Sequence, residues 1–301
     1  MQKKEKWIIG ILVVSFVLTV FISIAKNNST SKTKSTKDGF LSSKNKIAVI
    51  YLYGTIHFDQ NSGFLSMGTD EVICYLKDLS KEKNLKAVIL RINSPGGTPG
   101  ASQELYNELI KFKEQTKIPI IASIADVGAS GAYWVSLSAD RIFSNGTSIV
   151  GSIGVIMQNL DLSELSEKYG LGIKTIKSGK YKDIFSAWRN PTKQEKEMLE
   201  GFANNIHDQF INTFIDSRKL SKSRARELAQ GQIFTGEQAI KVGLIDEIGG
   251  LEDALKYAKE KTKIKDTPTI ISIPQNPMKN FFKSWQKKFQ TFLPLDYYNI
   301  R

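Results

Sequence analysis

Near the start of the chain the hydrophobic pattern is unbroken: nineteen residues from Trp7 to Ala25 carry no charge. As a helix rising about 1.5 Å per residue this run spans roughly 28 Å, close to the hydrocarbon thickness of a bilayer, and reads as a transmembrane anchor. A cleaved signal peptide is the competing reading. Lys3, Lys4 and Lys6 make the short N-terminus (1–6) basic, and Ser23-Ile24-Ala25 has a small-x-small form. The run is longer than an ordinary signal-peptide core, which favours the anchor. Lys26, Lys32, Lys34 and Lys37 follow it, so charge counting leaves the orientation open. Residues 26–45, rich in Ser, Thr, Asn and Lys, have little to bury and read as a flexible tether.

From Lys46 the period changes. Lys46–Tyr53, Lys86–Ile92 and Pro119–Ala125 read as short buried strands, with helices expected near Thr69–Leu79, over Ala101–Lys113 and from Gly131 to about Ala139. Strand, glycine-bearing turn and helix in succession predict an α/β fold of parallel βα units, with sites at the carboxyl ends of the strands. Ile173–Ile176 is a further expected strand. Beyond residue 190 the period is helical: Leu199, Phe202, Ile206, Phe210 and Phe214 form one stripe on a helix between Thr192 and Arg218. Shorter helices are expected at Ser221–Ala229 and from Leu251 to about Lys261. The main domain is placed at 46–265 and a C-terminal extension at 266–301. In that extension Met278, Phe281, Phe282, Trp285, Phe289 and Phe292 oppose Lys279, Lys283, Lys287 and Lys288. This basic amphipathic helix suits a membrane surface or packing against protein.

Composition narrows the classes. With 41% apolar and 24% charged residues the chain as a whole is not disordered. The formal charge of +12 suggests nucleic acid until it is located: residues 1–46 hold nine lysines against Glu5 and Asp38. The excess lies mostly in a flanking segment, so no nucleic-acid partner is expected. Cys74 is the single cysteine, which excludes an internal disulfide framework; with two histidines it makes a poor zinc site.

Glycine and small hydroxyl residues concentrate where the strands end. Ser94-Pro95-Gly96-Gly97 is either a tight βα turn or a pair of amides open to a cleft. Ser130, in Ala129-Ser130-Gly131, is either an N-cap or a nucleophile at the start of a helix, where amide hydrogens stabilise an oxyanion. A nucleophilic serine needs a base. His57 stands near Asp59 but nothing pairs it with Ser130, and His207 belongs to the long helix, where packing accounts for it. Lysine is the remaining choice, and Lys180 and Lys182 follow the expected strand at 173–176. An ordinary lysine is charged at neutrality, and keeping one neutral costs about 4 kcal/mol, which a dry cleft can impose. The residues alone do not choose between the two.

The order of motifs is more specific than any one of them. Ser94-Pro95-Gly96-Gly97, Ala129-Ser130-Gly131-Ala132-Tyr133, Val150-Gly151-Ser152-Ile153-Gly154-Val155 and Lys177-Ser178-Gly179-Lys180-Tyr181-Lys182-Asp183 occur in sequence. Gly231-Gln232-Ile233-Phe234-Thr235-Gly236 and Gly243-Leu244-Ile245-Asp246-Glu247-Ile248-Gly249-Gly250 follow. Over residues 46 to 260 this resembles the signal peptide peptidase A (SppA) family of bacterial membrane-bound serine proteases. The resemblance implies a ClpP/crotonase-type fold, no cofactor, an extracytoplasmic catalytic domain and a Ser–Lys dyad. By motif, Ser130 matches the nucleophile, Lys182 the general base, Gly97 and Gly131 the oxyanion-hole amides, and Ser152 a hydroxyl that orients the lysine. Ala132 stands where relatives often have a second glycine. The length matches short members whose sites are completed by neighbouring subunits in a ring. The rival expectations are a crotonase-like acyl-CoA enzyme, using the same amides on a thioester, and a non-catalytic membrane scaffold.

Overall fold

Residues 45–58 and 68–273 are described by the computed structural model; the apolar run at 7–25, the tether through residue 44 and the amphipathic segment at 278–292 lie outside them. Among the described residues no helix is long and apolar enough to cross a membrane.

Strands β1 (Lys46–Tyr53), β2 (Leu85–Ser94) and β3 (Ile120–Ala129) pair in parallel and carry apolar side chains on both faces. Alternation sends the two faces to different cores. Ala48, Ile50, Val88, Leu90, Ala122 and Ile124 join the larger core, beneath helices α1 (Thr69–Leu79), α2 (Pro99–Thr116) and α3 (Gly131–Ser136). Ile47, Val49, Ala87, Ile89 and Ile121 face Ala254 and Ala258 of α8 (Leu251–Lys261). Helices therefore cover both faces of a mostly parallel sheet, as the α/β reading expected.

β3 is the hub. Its first half pairs with β4 (Arg141–Ser144) and its last residues with β5 (Ile149–Gly151), both parallel. β6 (Ile233–Thr235) adds antiparallel to β5, and β7 (Glu247–Ile248) pairs with β4. At the other edge β8 (Thr269–Ile273) pairs with β1, inside the segment assigned to the C-terminal extension. Between Ile92 and Ser94 the β2–β3 register shifts. Asn93 spans that irregularity: its Nδ2 donates to Asp126 Oδ2 at 3.0 Å, and its Oδ1 accepts from the Val127 amide at 3.1 Å. The shift lets β3 run on beside the turn that ends β2.

The remaining helices are α4 (Ser163–Lys168), α5 (Lys193–Arg218), α6 (Lys222–Leu228) and α7 (Gly236–Lys241). α5 starts with a capping box in which Thr192 and Glu195 bond each other's backbone amides. Its apolar stripe divides: Phe210 and Phe214 are buried, whereas Phe202 is 59% exposed. Phe210 stacks on Trp134 at 4.5 Å and Phe214 meets Tyr133 edge-on at 6.0 Å, so α5 clamps α3. One expected strand is absent. Residues 173–176 are irregular and Ile176 is fully exposed. Its apolar spacing resembles a strand, but no neighbouring strand among the described residues supplies a ladder for its backbone.

Candidate active site

The ends of β2 and β3 bring the two glycine-bearing turns together. Ser130 sits between β3 and α3 with φ 52° and ψ −126°, a backbone conformation that costs a non-glycine residue about 1–3 kcal/mol. A forced turn of this kind makes the serine project from the strand–helix junction. Its amide donates to Gly151 O at 2.8 Å, which ties it to β5. The neighbouring α3 cannot drift. Tyr133 is buried, its hydroxyl donates to Leu244 O at 2.7 Å, and burial pushes that phenol well above its ordinary pKa.

Gly96 and Gly97 pack directly against this turn. A Cβ built on Gly96 would stand 2.8 Å from Ser130 Cβ and 2.9 Å from the Gly131 amide nitrogen; one on Gly131 would be 3.2 Å from the Gly97 nitrogen. Only glycine permits such approach. Ile56 orients the pair. It bridges to Gly97, its amide donating to Gly96 O at 2.9 Å and its carbonyl accepting from Thr98 at 3.0 Å. Those two bonds use the groups flanking Gly97, so the Gly97 N–H is left out of the bridge. Among the described residues neither the Gly97 nor the Gly131 N–H has an acceptor. Two unengaged amides beside a hydroxyl have the form of an oxyanion hole. Ser94 and Ser102 support it: buried Ser94 Oγ accepts from the Gly96 amide at 3.2 Å, and buried Ser102 lies under Gly131.

Ser152 lies one step past the Ala129–Gly151 pair, and its amide donates to Gln232 O at 2.8 Å. It too has positive φ, 52°. Ser130, Gly131, Gly97 and Ser152 therefore share one end of the sheet. Lys182 stands on the irregular segment between α4 and α5, exposed, and no hydrogen bond joins it to Ser130 or Ser152. Lys180 is engaged elsewhere, donating to Gln194 Oε1 at 2.6 Å and lying over the Tyr181 ring. Of the histidines, His57 places Nδ1 2.8 Å from Thr55 O, and His207 has a buried Nε2 without a partner among the described residues. Neither is hydrogen-bonded to Ser130.

Sequence reading overlooked the ion cluster beside Lys182. Arg189 bonds both oxygens of Asp183 (3.0 and 2.8 Å) and both oxygens of Glu195 (2.8 and 2.7 Å). The spacing of Asp183, Arg189 and Glu195, six residues each way, was the available signal. Hydrogen bonds from Arg189, then from Lys177, hold the Asp183 carboxyl far below the ordinary range. Arg189 and the Thr192 amide bring Glu195 down to about 2. Carboxylates so lowered stabilise the fold fully above their unfolded pKa, near 4, and lose that contribution as pH falls toward the folded value. The melting difference between the parent and Glu195→Gln is therefore largest above pH 5 and vanishes as pH approaches 2. A difference that persisted at pH 2 would contradict this.

The geometry agrees with what the chain is similar to. A model of the family described as Peptidase family S49 matches residues 112–265, which include Ser130, Ser152 and Lys182. A candidate protease of Methanocaldococcus jannaschii is 40% identical over 242 residues, covering 79% of this chain and 77% of the relative. A candidate signal peptide peptidase SppA of Enterococcus faecium is 38% identical over 210 residues, covering 70% and 60%. The chloroplastic serine protease SPPA of Arabidopsis thaliana is 36% identical over 232 residues, 75% of this chain but 34% of that longer protein. A sheet end that offers a strained serine and two open amides, in a chain matched at this level, has one reading: the chain belongs to peptidase family S49.

Proposed function

We propose that this peptidase is a membrane-anchored serine endopeptidase of ClpP/crotonase-type fold that degrades released signal peptides and similar apolar peptides. The observation that carries the reading is Ser130, held at φ 52° beside two amides that have no acceptor among the described residues. Neutral Lys182 accepts the Ser130 proton as Oγ attacks the scissile carbonyl, forming a tetrahedral oxyanion held by the Gly97 and Gly131 N–H groups. Lys182 then gives the proton to the departing amine, leaving an acyl-enzyme on Ser130. Water, deprotonated by the same lysine, attacks the ester and frees the serine. Ser152 directs the amine toward Ser130.

In a single protomer Lys182 is exposed, so the dry surroundings that a neutral amine needs come from a neighbouring copy in a ring. Exposed Ile156, Leu160, Tyr169, Ile176 and Phe185, on the same stretch of chain, supply apolar surface for that neighbour. The anchor at residues 7–25 keeps the protease beside the membrane from which its substrates come. The name of the Enterococcus relative supports the same substrate class.

An active-site serine probe is expected to label Ser130 in the full chain. Lys182→Ala abolishes both labelling and cleavage of an apolar peptide, while Lys180→Ala retains them. Binding of CoA thioesters without peptide cleavage would replace this reading with an acyl-CoA enzyme; an unlabelled, inert Ser130 would leave a scaffold.

A further inference from the structure

We propose that Arg189 is a positioning residue that fixes the turn carrying Lys182 to the same helix that fixes Ser130. The inference rests on reading Lys182 as the base. Residues 171–191 contain no helix or strand, so no backbone ladder sets where Lys182 stands. Its side chain has no hydrogen bond or ion pair among the described residues, and its amide makes only a 3.3 Å bond to Gly179 O. The next residue, Asp183, is held firmly. Arg189 Nε and Nη2 donate to its two carboxylate oxygens, and Nη2 also reaches its carbonyl at 3.3 Å. Lys177 adds an ion pair to the same carboxylate.

The other edge of the guanidinium grips Glu195, whose side chain is only 4% exposed and whose Oε2 also accepts from the Thr192 amide at 2.8 Å. Glu195 belongs to the first turn of α5. About four and five turns after Glu195, the same helix presents Phe210 and Phe214 to Trp134 and Tyr133 of α3, the helix that opens immediately after Ser130. One rigid helix thus connects the nucleophile's turn with the base's turn, and Arg189 is its coupling at the base end. A planar fork that binds two carboxylates at once cannot be replaced by an ammonium group. Lys196 and Glu200 line a cavity of about 380 Å³ beside the guanidinium, but the bonds above are made by Asp183 and Glu195.

The test uses the full chain and an unstructured apolar peptide. Arg189→Gln is expected to lower kcat about 100-fold, the cost of misplacing a catalytic group by about 1 Å, with KM within about threefold. Arg189→Lys recovers less than a tenth of the lost kcat, and millimolar guanidinium partly restores Arg189→Ala. An Arg189→Gln enzyme with the parental kcat overturns the inference. So does a loss that merely tracks the unfolded fraction, read by circular dichroism, with no rescue by guanidinium. Lys182→Ala is run alongside: an active variant sinks the dyad itself, whereas an inert one beside a parental Arg189→Gln removes only the role of Arg189.

Discussion

Ser130→Ala is expected to reduce cleavage of an apolar peptide on the order of 10⁴-fold or more while leaving the melting temperature close to that of the parent. The hydroxyl has no hydrogen-bond partner among the described residues, so its removal leaves no buried group unsatisfied. The amide bond to Gly151 and the packing of Tyr133 and Trp134 survive, because none of them uses the side chain. Ser130→Gly takes the argument further. At φ 52° and ψ −126° glycine relieves strain that serine and alanine both carry, against an entropic cost of about 0.5–1 kcal/mol. That variant is expected to melt no lower than the parent and to be equally inactive. Thermal unfolding and single-turnover assays check both halves. Substantial hydrolysis by either variant would remove Ser130 from the chemistry.

Gly97→Ala should fail in a different way. A Cβ there would stand 1.9 Å from Ile56 O and 2.6 Å from Ile56 C, both backbone atoms that cannot swing aside. The bridge between Ile56 and Gly97 must open, which costs about 3 kcal/mol by analogy with overpacked cores. Opening it also turns the Gly97 N–H away from the Ser130 side of the turn, and loss of one oxyanion donor is worth about 10²–10³ in rate. The expected result is a destabilised protein whose remaining folded fraction turns over slowly. Gly100→Ala is the control, since its added methyl would meet only Phe58 at 3.8 Å. A Gly97→Ala enzyme with parental rate per folded molecule would show that this amide is not a donor.

Much of this is legible in the sequence. Lys46–Tyr53, Thr69–Leu79 and Leu251–Lys261 stand in the structure at the predicted bounds, because each has a strong period and a sharp boundary. The short strands β4 to β7 escaped prediction: segments of two to four residues have too few positions to show a period and form only because β3 and its neighbours offer partners. The expected strand at 173–176 failed for the converse reason, an apolar spacing with no partner. The candidate site divides in the same manner. Gly96, Gly97, Ser130, Gly131 and Ser152 announce themselves as small residues at strand ends. Ile56, Asn93 and Arg189 do not, since their work is to bond residues that are close only after folding.

The sequence by itself determined the alternation that sorts β1, β2 and β3 side chains between two cores, the start of α5 at a Thr–Glu capping box, and the ordered motifs that carry the family resemblance. These depend on local periodicity and on residue chemistry that neighbours in the chain already express. Only the tertiary structure decided that the ends of β2 and β3 lie side by side, that the Gly97 and Gly131 amides are both left without acceptors among the described residues, and that one arginine joins the lysine-bearing turn to α5. Hydrogen-bond complementarity between distant segments is settled by which backbone groups the sheet has already consumed, and no linear pattern records that.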